Sequence, residues 1–317
     1  MSRATSSRAD RNATTDGVIV IDHLSKNFGA VHAVDDLSFT VRPGRVTGFL
    51  GPNGAGKTTT LRILLGLVSP TAGTATIGGS TYGHFVQPMR SVGAALEAAN
   101  IHPGRSALDH LRVYAPQAGV SDARCREVLD LVGLGPVARR RAGGFSLGMR
   151  QRLALATTLL GDPRVLLLDE PANGLDPEGI AWLRNLLRAY AADGRTILIS
   201  SHVLSEVAQT VDRVVIISRG ELRFAGPLAD LGDGVVNVRT GELERLRGLL
   251  GGQGYSVSVT GTTSMDVRGA TAEEIGRLAA SQQIALSGLA EAGASLEAAF
   301  LRLTNADESS RRPVAIN

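Results

Sequence analysis

The chain has 317 residues, 43% hydrophobic and 20% charged, with a formal net charge of +3. That is enough chain for one large or two modest domains with real cores, and the composition excludes disorder over most of it. Its arginines are scattered, with one cluster at Ala138-Arg139-Arg140-Arg141, which argues against nucleic acid as a partner.

Met1–Gly17 is rich in Ser, Thr and Arg without an apolar centre, and reads as a disordered arm rather than a secretory signal. Val18–Ile21 reads as a strand, and Leu37–Val41 alternates as a second. A Pro43-Gly44 turn leads to the apolar run Val46–Leu50. A helix is expected from Lys57 through Leu67, stopped at Ser69-Pro70, and a short strand at Thr74–Ile77. Ile101–Leu159 reads as helical, broken at Pro103-Gly104 and Gly143-Gly144. Next come a buried strand at Val165–Leu168, a helix over Ile180–Ala191, a strand at Thr196–Ser200, a helix over Leu204–Thr210 and a strand at Val214–Ser218. Strands alternating with helices predict an α/β core with a parallel sheet.

The pattern changes after Gly226. Strand Val235–Arg239, helix Glu242–Leu250, hairpin Tyr255–Val259 and Met265–Val267, helix Thr271–Ser281 and strand Ile284–Leu286 give the order βαββαβ. That order predicts a small ferredoxin-like α+β domain. A last helix is expected over Ser295–Thr304. The expected organisation is an arm at 1–17, a domain at 18–225 with a helical subdomain near 98–158, an accessory domain at 230–305 and a flexible tail at 306–317. No apolar run reaches the ~20 residues a membrane helix needs, and the one cysteine, Cys125, fits a reducing compartment.

The chemistry concentrates in two segments. Gly51-Pro52-Asn53-Gly54-Ala55-Gly56-Lys57-Thr58 has two glycines four residues apart, then Lys and Thr, between an apolar strand and a helix. Its glycines let backbone N–H groups turn inward on phosphate oxygens, and the helix N-terminus adds positive potential. Lys57 can bridge β- and γ-phosphates, Thr58 can ligate Mg²⁺, and Thr59 completes the nucleotide-binding run. Lys57 is one of only two lysines in an arginine-rich chain, the other being Lys26, so a compact ammonium is needed at this loop. In the second segment, the run Val165–Leu168 ends in Asp169-Glu170. Asp169 would hold Mg²⁺, and Glu170 would polarise an attacking water; alone, the pair could also cap the helix near Asp176-Pro177.

With further landmarks in order, residues Val18 to Leu222 resemble the ATP-binding cassette (ABC) family of transporter ATPases. The landmarks are Phe28 in Asn27-Phe28-Gly29, the segment Gly143–Arg152 containing Phe145-Ser146-Leu147-Gly148-Met149, then Gly174-Leu175-Asp176 and Ser201-His202. The fold implied is a P-loop NTPase cassette with a helical subdomain, followed by the small α+β domain. The resemblance implies that Phe28 stacks on adenine, that His202 contacts the γ-phosphate, and that Glu97 senses it where the family has Gln, with a place on Mg²⁺. It also implies a head-to-tail homodimer in which Ser146 and Gly148 reach the partner's ATP. A separate integral membrane permease would dock at the inner face of the cell membrane, with this chain on the cytoplasmic side.

Two departures stand out. Glu97 cannot donate as an amide does, and Leu147 replaces the first of two adjacent glycines. Leu147 is expected to hold the helix N-terminus off phosphate, so that hydrolysis is slow and Leu147→Gly raises it. The ending Ala294–Thr304 resembles the tail of bacterial exporter ATPases for drugs, peptides and antibiotics. An importer subunit, a soluble cassette acting on ribosomes or DNA, and a nucleotide-binding regulator are the competing readings.

Overall fold

The computed structural model describes residues 17–96, 101–203, 207–231, 235–291 and 296–305. Most of the expected arm, the tail from 306, Glu97 and the start of the helix expected at Leu204 lie outside the described residues. The chain divides into two compact units between Ala225 and Gly226.

In the first unit, strands β1 (Ile19–Phe28), β2 (Val31–Val41) and β4 (Ala72–Ile77) form an antiparallel sheet in the order β2-β1-β4. A second, six-stranded sheet runs β5-β6-β7-β3-β8-β9. Its members are β3 (Arg45–Leu50), β5 (Val92–Ala95), β6 (Val165–Asp169), β7 (Thr196–Ser201), β8 (Arg213–Ser218) and β9 (Glu221–Pro227). β3 lies parallel between β7 and β8, and β6 parallel between β5 and β7. The parallel strands are apolar along most of their length because both faces are covered, with polar residues gathered mainly at their ends. Phe49, Leu61, Leu64, Leu167, Leu198 and Val215 share one core with Ile19 and Leu37 of the antiparallel sheet.

Helix α1 (Lys57–Leu64) stops short of the expected Leu67. Gly66 takes φ 67°, Gly66 N–H donates to Ile63 O at 2.9 Å and Leu67 N–H to Arg62 O at 2.9 Å. This Schellman closure ends the helix before proline is reached. A one-turn helix, α2 (Pro88–Ser91), precedes β5. β5 was not expected, because Gly93 and two alanines carry little strand propensity. Its composition follows from close packing: a Cβ on Gly93 would stand 2.4 Å from the Thr158 carbonyl. The helical region resolves into α3 (Ala107–Ala118), α4 (Asp122–Leu131) and α5 (Leu147–Leu159), and α6 (Pro177–Ala192) follows β6.

The second unit has β10 (Val235–Thr240), α7 (Leu243–Gly252), β11 (Ser256–Val259), β12 (Ser264–Arg268), α8 (Ala272–Ser281), β13 (Leu286–Glu291) and α9 (Leu296–Asn305). Its sheet runs β11-β12-β10-β13 with every neighbouring pair antiparallel, the ferredoxin-like arrangement. Val236, Val238, Leu246, Met265, Val267 and Ile275 form its core. The last strand starts at Leu286, the final residue of the expected Ile284–Leu286, and runs on to Glu291. Gln283 takes φ 56° and Ile284 N–H donates to Ala279 O at 2.9 Å, so buried Ile284 closes helix α8 instead.

Candidate functional site

The loop 51–58 leaves the centre of the parallel sheet, where the neighbouring strands end on either side of it. Close backbone approach requires glycine at two of its positions. A Cβ on Gly51 would stand 2.4 Å from Ile217 O, and one on Gly56, which also has φ 104°, would stand 2.4 Å from Ala33 O. No side chain caps α1, so its first-turn amides stay available to an anion. The loop borders a cavity of about 230 Å³ lined by Ala33, residues 53–59 and Glu170.

Lys57 is only 7% exposed, and its Nζ donates to Gly51 O at 2.5 Å and Pro52 O at 3.2 Å. Burial pulls its ammonium below the ordinary lysine range, opposed by the charges of Glu170 and Asp169. Thr58 Oγ1 donates to Asp169 Oδ2 at 2.7 Å, which brings the two predicted metal ligands together. They are hard oxygen donors of the kind Mg²⁺ accepts beside phosphates. Among the described residues there is no group of three or more His, Cys, Asp and Glu that could hold a metal ion.

Glu170 sits in a left-handed backbone state, φ 50°, that a non-glycine residue keeps only when its surroundings enforce it. His202 Nδ1 lies 2.9 Å from Glu170 Oε2, and Ser200 Oγ accepts the Glu170 N–H at 3.0 Å. The same Ser200 hydroxyl donates to Asp169 Oδ1. Sequence reasoning missed Ser200. The only signal for it was a polar residue closing an otherwise apolar buried strand, just before Ser201-His202.

Phe28 and the signature residues are not among the residues lining this cavity. Phe28 is 51% exposed on the β1–β2 hairpin, the hairpin that also supplies Ala33, with Lys26 Nζ 4.8 Å above its ring centre. Ser146 caps α5, accepting the Met149 N–H at 3.2 Å. Gly148 has no room for a side chain, since a Cβ would stand 2.8 Å from Gly174 O.

The family model described as ABC transporter matches residues 34–173. A second family model, a domain of unknown function, matches residues 234–297. The bacitracin transport ATP-binding protein BcrA of Bacillus licheniformis is 43% identical over 208 residues, covering 65% of this chain and 68% of that protein. The uncharacterized ABC transporter ATP-binding protein YdbJ of Bacillus subtilis (strain 168) is 33% identical over 298 residues, 92% of this chain and 96% of that protein. The chain belongs to the ATP-binding proteins of ABC transporters. A solved structure of an ATP-binding subunit of an ABC transporter is 26% identical, with a TM-score of 0.62 over 82% of this chain and 98% of that one.

As an ABC ATPase the chain binds and hydrolyses ATP. ATP-binding subunits of ABC transporters work with membrane permease subunits. Among the described residues of this ABC ATPase, no helix is long and apolar enough to cross a membrane.

Proposed function

We propose that the chain powers export of an antibiotic, drug, peptide or lipid-like substrate through a separate membrane permease, from the cytoplasmic face of the cell membrane. The observation that carries export is the 43% identity to a bacitracin transport ATP-binding protein. The exporter-like tail expected from the sequence supports it.

In this reading the nucleotide phosphates occupy the cavity beside loop 51–59. Lys57, now resting on loop carbonyls, turns its charge onto the β- and γ-phosphates, and its low hydration makes that charge effective. Thr58 and Asp169 would hold Mg²⁺, which when bound offsets the negative charge of the phosphates. Glu170 is the base that takes a proton from the attacking water. His202 on Oε2 fixes the carboxylate plane and leaves Oε1 for that water. Phe28 offers its exposed ring to adenine. Ser146 and Gly148, at the N-terminus of α5, meet the γ-phosphate held by a second, head-to-tail copy.

Glu170→Gln tests the base. MgATP binding is retained, turnover falls by about 10²–10⁴, and an ATP-bound dimer accumulates on size-exclusion chromatography. Turnover like the wild type removes Glu170 from this role. Affinity capture of the tagged chain from solubilised membranes tests the setting. A polytopic membrane protein is expected; recovery of ribosomes or DNA instead overturns the transport reading.

A further inference from the structure

The first turns of α5 lie against the loop that follows Glu170, and three contacts join them. Gln151, 5% exposed, donates from Nε2 to Pro171 O at 3.1 Å. Gly148 sits against Gly174 O. The Leu147 side chain covers Gly174, so that a Cβ on Gly174 would come within 2.4 Å of Leu147 Cγ and 2.5 Å of Cδ2. Gly174 also has φ 78°. Glycine is therefore required there twice, once by the backbone and once by the leucine.

The loop between these contacts is built of tight turns. Asn173 N–H donates to Glu170 O at 3.2 Å, and Leu175 N–H to Ala172 O at 3.1 Å. It starts at the left-handed Glu170, which Ser200 holds from the β7 side. The restraint from the opposite side comes from α5. Leu147 is 56% exposed, so burial alone does not account for a leucine at this place; its fit over Gly174 does.

We propose that Leu147 is a positioning residue for hydrolysis. Seated on Gly174 and aided by Gln151, it fastens the first turn of α5 to loop 171–175, so that a displacement of α5 reaches the backbone of Glu170. This rests on Glu170 being the base, and it adds regulation to that site: a group drawn to Ser146 at the end of α5 is coupled to the chain's own carboxylate. The sign is opposite to the sequence expectation. There Leu147 holds phosphate off; here it is a strut, and its removal slows hydrolysis.

Steady-state MgATP hydrolysis by the full chain decides between them. Leu147→Gly lowers kcat about tenfold with KM within twofold, and Leu147→Met, which keeps the bulk, restores it. Gly174→Ala lowers turnover in the wild-type background, and lowers it less when Leu147 is already glycine, because only the backbone strain is left. Thermal melting shows that each variant is folded, and Leu147→Ala replaces any that is not. Unchanged or faster turnover in Leu147→Gly, or strictly additive effects at the two positions, overturns the proposal. Failure of the base reading shows separately, as wild-type turnover in Glu170→Gln.

Discussion

The two units handle polarity and strain in different ways. Residues 17–225 contain five described non-glycine residues with positive φ, namely His23, Asp36, Asp162, Glu170 and Arg219; the second unit has one, Gln283. Gln283 ends a helix, whereas Glu170 stands at the cavity beside loop 51–58. The first unit also buries Lys57 and Ser200 beside Asp169, while the second buries Thr240 in an otherwise apolar core, and the ion pairs Arg245–Glu242, Arg247–Glu244 and Arg277–Glu273 lie at its surface. Of these left-handed residues only Glu170 lines the cavity beside loop 51–58, and Lys57 lines it too. Within the second unit helix α8 agrees with its local signals, carrying a complete capping box, whereas α7 has no side-chain cap and ends in two glycines.

The largest effect that tests this contrast is at Lys57. Lys57→Met removes a buried ammonium whose protonated form burial disfavours. Hydrolysis falls by about 10³-fold or more, by loss of phosphate charge stabilisation. Stability is unchanged or higher, since the desolvation cost goes with the charge. Turnover assays and thermal melts of the same preparation check both. A melting point several degrees below wild type would show that Lys57 serves the fold and would blur the contrast.

A smaller effect belongs to the second unit. Leu246 is fully buried in its core, and Leu246→Ala costs about 2–5 kcal/mol through lost burial and the cavity left behind. The chain has a single tryptophan, Trp182 on α6, so its fluorescence reports the first unit alone. Circular dichroism is expected to show an early transition in Leu246→Ala while the Trp182 transition and the ATPase rate hold. An equal shift of the Trp182 transition means that the units unfold as one.

How much of this was legible follows from the range of each signal. The loop 51–58 and Asp169-Glu170 were readable because their chemistry depends on residues close in sequence, flanked by apolar strands. Lys57, Thr58, Asp169, Glu170 and His202 do converge. Ser200 was invisible, since one hydroxyl serving both Asp169 and Glu170 is a fact of strand pairing, β6 beside β7. So was the seat of Leu147 on Gly174, twenty-seven residues apart in the chain by their numbers. In the fold, the parallel strands were legible from their apolar runs. β5 was not, because Gly93 is set by its contact with Thr158 and not by strand propensity. Ile284 misled because an apolar residue that closes a helix looks like the start of a strand.

The smallest expected effect sharpens the claim that helix α8 is locally consistent. Thr271 and Glu274 form a capping box on α8: Thr271 Oγ1 accepts the Glu274 N–H at 3.2 Å, and Glu274 Oε2 accepts the Thr271 N–H at 2.8 Å. Thr271→Ala removes the hydroxyl and costs about 1 kcal/mol, as exposed caps do. The backbone and side-chain hydrogen bonds from Thr271 hold the Glu274 carboxyl below its ordinary value. A depressed carboxyl stabilises the folded state in full above its unfolded pKa, and that contribution is lost as pH falls through the folded one. The gap between wild type and Thr271→Ala is therefore widest near neutral pH and narrows in acid. Urea melts followed by circular dichroism at pH 7 and near pH 3 measure it. A gap of the same size at both would mean that the hydroxyl acts alone and that the charged half of the box contributes nothing.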